Sequence, residues 1–252
     1  MTQTYDGTPR ANRTVLADAA GVARHAAAFI VDEAARTSGR FALSLSGGST
    51  PRLLYELLAT PEFRDQMPWE RVHLFWGDER CVPHDHADSN YRMTREAMLD
   101  HLPIPPDNVH PIPTDTTPED GAARYDRTLR TYYGRENLDA ARPMFDVTLL
   151  GLGEDGHTAS LFPGSPTLGE TFAWASATDS PGGAPGGTNV AQPRITLTLP
   201  AIASTGTVLF LAAGAGKRAI LRRVWQGDHD LPSARVRAMG RTLWAIDRAA
   251  AG

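Results

Sequence analysis

Two acids and a histidine are bracketed by glycines in Gly151-Leu152-Gly153-Glu154-Asp155-Gly156-His157. A carboxylate two residues before an imidazole can orient the ring. Imidazole, with a reference pKa of about 6.5, is the side chain suited to proton transfer near neutral pH. The glycines let the backbone turn sharply and approach a ligand closely. A strand-to-helix turn capped by Asp155, with an incidental His157, would use the same residues, and the segment alone leaves both readings open.

Other segments carry complementary chemistry. In Ser46-Gly47-Gly48-Ser49-Thr50-Pro51 two glycines are followed by two hydroxyls and a proline at an expected first helical position. Free N–H groups at such a helix start attract anions. Asp78-Glu79-Arg80 puts two acids and a guanidinium directly after an apolar run, and Ala213-Gly214-Ala215-Gly216-Lys217 holds the only lysine in the chain. The Ser46 to Pro51 loop is neither a Walker motif nor a dinucleotide G-x-G-x-x-G, which speaks against ATP and NAD. No G-x-S-x-G elbow occurs, which disfavours a covalent serine mechanism.

These groups need elements to position them. Short apolar runs alternate with helix-like stretches, the pattern of a parallel sheet with crossover helices. Strands are expected at Phe41 to Leu45, Val72 to Trp76, Phe145 to Leu150, Arg194 to Leu199, Val208 to Ala212 and Thr242 to Ile246. Helices are expected at 11–37, 51–59, 90–99, 118–133 and 219–226, the first because Val15, Ala19, Val22, Ala26, Phe29 and Ile30 recur at helical spacing. Proline-dense Pro103 to Pro113 reads as an extended connection. Residues 180–188, rich in Gly and Pro, read as a flexible surface loop, and residues 1–12 as a flexible start. The expected fold is one α/β domain spanning residues 1–252, a Rossmann-like open, mostly parallel sheet with helices on both faces. In such sheets ligands bind outside the carboxyl ends of the strands, where the four loops described above would meet.

Composition narrows the function. An apolar fraction of 41% supplies a core without disulfide or metal staples. The single cysteine, Cys81, fits a reducing compartment, and the N-terminus lacks a secretory pattern, so a soluble cytoplasmic protein is expected. A net charge of −4 argues against a nucleic-acid partner, and no apolar run suggests a membrane one. Cys81, His84, His86 and Asp88 carry zinc-type ligand atoms, but their spacing fits no standard pattern and Pro83 marks an exposed loop, so no metal is expected. His25 and His73 read as surface or core residues.

The segments Ser46 to Pro51, Trp76 to Pro83, Ser89 to Met93, Gly151 to Pro163, Arg194 to Pro200 and Gly214 to Lys217 together resemble those of 6-phosphogluconolactonases, in order and over nearly the whole chain. The resemblance implies hydrolysis of 6-phospho-D-glucono-1,5-lactone to 6-phospho-D-gluconate, the second step of the oxidative pentose phosphate pathway, with no cofactor. Glucosamine-6-phosphate deaminases share the fold and are the alternative enzyme. They carry an acid soon after the histidine, where this chain has Leu161-Phe162-Pro163, and a tyrosine where it has Arg80. A non-catalytic sugar-phosphate sensor is the alternative of another class.

On this reading His157 is the general base that activates water, and Asp155 orients it or another polar group. Arg80 either stabilises the carbonyl oxyanion or holds the substrate. Gly47, Gly48, Ser49, Thr50, Asp78, Arg194 and Lys217 bind the sugar phosphate, with Arg194, Lys217 and the Ser46 to Thr50 loop on the phosphate. If His157 is not the base, Asp78, Glu79 and Asp155 are the next candidates, unranked. The only expected partner is the small sugar-phosphate substrate, and a monomer is favoured over an oligomer.

Overall fold

The computed structural model describes residues 12–180 and 192–252. The expected flexible stretches, 1–12 and 180–188, therefore lie outside the described residues except for Asn12 and Ser180.

The chain begins with β1 (Arg13–Leu16), α1 (Ala19–Arg36), β2 (Phe41–Leu45), α2 (Ser49–Leu58) and the single turn α3 (Pro61–Arg64). Next come β3 (Val72–Trp76), β4 (Asp78–Arg80), α4 (Asn90–Ala97), the short β5 (Val109–His110), α5 (Pro118–Tyr133) and β6 (Phe145–Leu150). The last part holds β7 (Ala175–Asp179), β8 (Pro193–Leu197), α6 (Leu199–Ala203), β9 (Thr205–Ala212), α7 (Arg218–Trp225), α8 (Pro232–Arg235), β10 (Arg241–Asp247) and α9 (Arg248–Ala251).

Seven strands form one sheet in the order β1-β10-β9-β6-β2-β3-β5, and every neighbouring pair is parallel. All five residues of β2 are buried, so both faces of the sheet centre are covered, as an all-parallel sheet requires. The helix α1 turns Val22, Ala26, Ile30 and Ala34 inward. A separate three-stranded antiparallel sheet, β4-β8-β7, carries Arg80 and Arg194. Among the described residues no helix is long and apolar enough to cross a membrane.

The chain after β2 goes to β3 on one side, while β6, β9 and β10 extend the sheet on the other. The order therefore reverses between β2 and β6, and the crevice at that switch point is the expected ligand site. The strands whose glycine loops carry chemistry, β9, β6, β2 and β3, are four consecutive neighbours in the sheet.

The structure corrects several sequence expectations. The stretch 11–37 is not one helix: Arg13–Leu16 pairs with β10, and α1 starts only after Asp18, whose carboxylate accepts the Gly21 N–H at 2.8 Å. The helix α2 begins at Ser49, two residues before Pro51, with Gly48 as its N-cap at φ 107°. Pro103 to Pro113 is not extended throughout: Pro106–Asn108 forms a 3-10 turn, and the extended Val109–His110 adds an edge strand beside β3. Asp78-Glu79-Arg80 is a strand rather than a loop, and Arg194 stands in the small sheet, with Leu199 already starting α6.

Candidate active site

Two buried tyrosines hold the ends of the central strands open toward the crevice. The Tyr55 hydroxyl accepts the Ser46 N–H at 2.9 Å and donates to the Ser46 carbonyl at 2.7 Å. The Tyr125 hydroxyl treats Trp76 the same way, at 2.9 Å in both directions. Each strand end thus has its backbone groups satisfied where the parallel ladder stops. Gly77 then links the two sheets: its N–H donates to Leu45 O and its carbonyl accepts from Leu197 N, both at 2.8 Å.

Beyond these ends lies a crevice of about 290 Å³. The loop after β2 contributes Gly47, Gly48, Ser49 and Thr50; β4 and β8 contribute Asp78, Arg80 and Arg194; and the last loops contribute His157 and Lys217. Of the ten residues expected from the sequence, only Asp155 is not in the lining. It stands behind His157, with Oδ1 2.6 Å from His157 Nδ1 and accepting the His157 backbone N–H at 3.0 Å. Partial burial pushes the Asp155 carboxyl up, but its bonds with the His157 ring and backbone outweigh this and hold it below the ordinary value. An ionised Asp155 can only accept, so Nδ1 carries the proton and donates it, which leaves Nε2 with the lone pair. The His157 side chain is 36% exposed, enough for a water to reach the ring.

Glycine is required at two points by close approach. A Cβ on Gly153 would stand 2.1 Å from His157 Nδ1, and one on Gly47 2.2 Å from Asn90 Oδ1. Asn90 also lines the crevice and donates through Nδ2 to the Asp78 carbonyl at 2.9 Å.

The cations are unusually free. Arg80 and Arg194 are register partners across β4 and β8, and each has a buried Nε with no hydrogen-bond partner. Arg80 donates from Nη1 to the Asp88 carbonyl at 2.7 Å. Among the described residues neither guanidinium makes an ion pair, and Lys217 makes none either. Burial, reinforced by the neighbouring Arg80 charge, holds Arg194 below its ordinary value. Two adjacent guanidiniums repel each other, and an anion between them removes that cost. The first turn of α2 adds to the same wall, since its Gly48 cap supplies no side-chain acceptor for the leading N–H groups. Lys217 is fixed by its loop: Gly214 N–H is held at 3.0 Å by both Asp247 carboxylate oxygens.

The three acids left unranked by the sequence now separate. Asp78 lines the crevice, and Asp155 backs the imidazole. Glu79 does neither. Its carboxylate accepts the N–H groups of Arg80, Asn90 and Tyr91 at 2.8 Å each and the Ser89 hydroxyl at 3.0 Å, so it holds the start of α4. Burial raises the Glu79 carboxyl above its ordinary value in spite of those donors.

The cluster weighed for zinc is dispersed into other contacts. His84 Nε2 lies 2.9 Å from the Ile112 carbonyl, and His86 Nδ1 accepts the Asp88 N–H at 3.1 Å. Residues that sequence reasoning missed are Asn90 and Ser160, although both stood within the segments that carried the resemblance. A larger cleft of about 420 Å³ at Trp225, Ser233 and Trp244 has no acid or histidine in its lining.

The chain is similar to known proteins over most of its length. Residues 17–244 match the family model described as glucosamine-6-phosphate isomerases/6-phosphogluconolactonase. A 6-phosphogluconolactonase of Nostoc sp. is 41% identical over 224 residues, which cover 87% of this chain and 87% of that protein. The Homo sapiens 6-phosphogluconolactonase is 40% identical, covering 84% of this chain and 80% of the relative. Among solved structures, the 6-phosphogluconolactonase of Thermotoga maritima superposes with a TM-score of 0.78 at 32% identity, covering 94% of this chain and 99% of that one. With this sheet order, this crevice and these relatives, the chain belongs to the glucosamine-6-phosphate isomerase/6-phosphogluconolactonase family.

Proposed function

We propose that the crevice hydrolyses 6-phospho-D-glucono-1,5-lactone to 6-phospho-D-gluconate. The observation that carries this reading is the His157–Asp155 pair in a crevice whose other walls present three cations without ion-pair partners among the described residues. That combination suits an anionic substrate and a reaction that needs proton transfer. The named activity of relatives about 40% identical over most of the chain supports the same substrate.

In the proposed reaction Nε2 of His157 takes a proton from water as the water oxygen bonds to the lactone carbonyl carbon. The carbonyl π electrons move onto oxygen, and Arg80 faces that developing oxyanion. The oxyanion collapses, the bond from C1 to the ring oxygen breaks, and the ring oxygen takes the proton held by His157. The products are an open-chain hydroxyl and a carboxylic acid, which ionises. Asp155 stabilises the imidazolium through Nδ1 during the interval. Arg194, Lys217, the hydroxyls of Ser49 and Thr50, and the N–H groups beside Gly47 and Gly48 hold the 6-phosphate. Phosphate binding far from the reacting carbon fixes the carbonyl for attack.

The proposed working unit is a monomer. The cytoplasm is the proposed setting. Burial, followed by the Glu79 charge, pushes the lone Cys81 thiol up to about 11, which keeps it a poor nucleophile.

The deciding experiment is a side-by-side assay on freshly prepared phosphogluconolactone and on glucosamine 6-phosphate, with no added cofactor. Acceleration over spontaneous lactone hydrolysis is the expected result. Ammonia release from the amino sugar without that acceleration assigns the site to the deaminase branch, and binding without turnover of either compound makes it a sensor.

A further inference from the structure

The turn after His157 ties the histidine loop to the strand that carries Asp78. Leu161 N–H donates to the Thr158 carbonyl at 3.0 Å, closing a tight turn. Its first corner, Ala159, has φ 47° and is the only non-glycine at positive φ among the described residues. L-residues seldom adopt that region, and where they do the surrounding structure enforces it.

The enforced corner aims the next residue inward. Ser160 is fully buried, and its hydroxyl donates to Asp78 Oδ2 at 2.6 Å. Its backbone N–H donates to Thr196 Oγ1 at 3.2 Å, and Thr196 is the register partner of Asp78 in the β4/β8 ladder. Among the described residues no other group donates to the Asp78 carboxylate, and neither Arg80 nor Arg194 pairs with it. Asp78 is 7% exposed and lines the crevice, and its Oδ1 has no hydrogen-bond partner among those residues.

From these contacts we infer that Ser160 is a positioning residue: it locks the Asp78 carboxylate through Oδ2 and leaves Oδ1 to accept a hydroxyl of the bound sugar phosphate. A carboxylate with one protein donor turns freely once that donor is lost, and its second oxygen is then no longer presented at a fixed point. The contact from Ser160 N–H to Thr196 Oγ1 also ties the His157 loop to β8, beside Asp78 in the β4/β8 ladder. This inference rests on the hydrolase reading for the identity of the sugar.

The test is a double-mutant cycle on kcat/KM and on 6-phosphogluconate affinity by calorimetry. Ser160→Ala should lower both by about 10- to 100-fold, the range for losing a hydrogen bond to a charged group. Asp78→Ala should lower them at least as far. In the Asp78→Ala background, Ser160→Ala should add less than about twofold, because Ser160 acts through Asp78. A merely structural serine would instead give additive losses that track a lowered Tm. If Ser160→Ala does not fold, Ser160→Cys keeps the volume and a weak donor, and its loss should fall between those of wild type and Asp78→Ala. Wild-type kinetics and affinity in the Ser160 variant, or additive losses in the cycle, overturn the inference. Failure of the wild type to hydrolyse the lactone overturns the hydrolase reading instead, and the cycle on binding still decides the role of Ser160.

Discussion

His157 Nδ1 and Asp155 Oδ1 are 2.6 Å apart, and the same carboxylate oxygen also accepts the His157 backbone N–H at 3.0 Å. Ring and backbone of one residue are thus held by one oxygen two positions earlier. Gly153 N–H closes the loop by donating to the His157 carbonyl at 2.8 Å. The pair is assembled within five residues, so its geometry depends little on the rest of the crevice, and the proposed base can be removed without touching the proposed phosphate contacts.

His157→Asn keeps a polar side chain of similar reach and removes the titratable base. Turnover should fall by about 10²–10⁴, the range for a general base. Affinity for 6-phosphogluconate should survive, since Lys217 and the α2 start lie on other loops. Both rates should be compared after spontaneous lactone hydrolysis is subtracted. Near-normal turnover in a folded variant would transfer the base to Asp78.

Gly153→Ala tests the space behind the imidazole. The added Cβ would stand 2.1 Å from His157 Nδ1 and 2.6 Å from Asp155 Oδ1, so the ring and the carboxylate must move from their present positions. The backbone at Gly153 is not at positive φ, so alanine imposes no strain of its own there. We expect kcat to drop by at least about 10², the usual penalty for a displaced catalytic group, with a Tm close to wild type. A variant with full turnover would mean that the pair can form with the ring elsewhere.

What could be read from the sequence differs from element to element for physical reasons. The strands β2, β3 and β6 announce themselves because buried apolar runs stop at glycines. The strand β1 does not, since three of its four residues are exposed and only pairing with β10 makes it a strand. Asp78-Glu79-Arg80 looks like a solvated loop because its acids find their partners elsewhere in the fold, on Ser160 and at the start of α4. For the candidate site, His157, Arg80 and Lys217 stand out in the sequence by residue type, and Asp155 by its two-residue offset. Ser160 does not, because its partner is 82 positions away. Glu79 could not be told from Asp78 until the α4 N–H groups came into view.

A pH effect on stability follows from the edge of the sheet. His73 Nδ1 lies 3.2 Å from His110 Nε2, and the His110 ring stacks on Phe75 at 4.5 Å between centroids. Burial first, then the His73 and Arg40 charges, bring His110 down to about 4, and burial also lowers His73. In the unfolded chain both rings titrate near pH 6.5, by the reference value for histidine of about 6.5. Between those limits the unfolded chain binds more protons, so stability falls as pH drops from about 6.5 toward 4. Melting curves should show Tm lower at pH 5 than at pH 7, by roughly 2–4 °C for each kcal/mol lost. His110→Phe keeps the stacking and removes the titration, so its Tm should decline less over the same interval. Parallel declines would place the acid sensitivity in other groups.

Lys217 separates binding from chemistry. It is the chain's only lysine, it lines the crevice, and among the described residues no carboxylate pairs with it. Its loop is anchored from behind by Asp247, so replacing the side chain leaves the backbone course intact. Lys217→Ala removes one cation from the proposed phosphate pole and leaves His157 and Asp155 untouched. A charge-assisted hydrogen bond is worth about 1.5–3 kcal/mol, so KM and the 6-phosphogluconate Kd should each rise about 10- to 100-fold. The contact is the same in ground and transition states, because the phosphate does not react, and kcat should therefore stay within about threefold. Raising ionic strength should weaken wild-type binding more than that of the variant, which has one charge fewer to screen. A fall in kcat at unchanged KM would instead place Lys217 at the reacting carbonyl and move the phosphate onto the Arg80 and Arg194 pair.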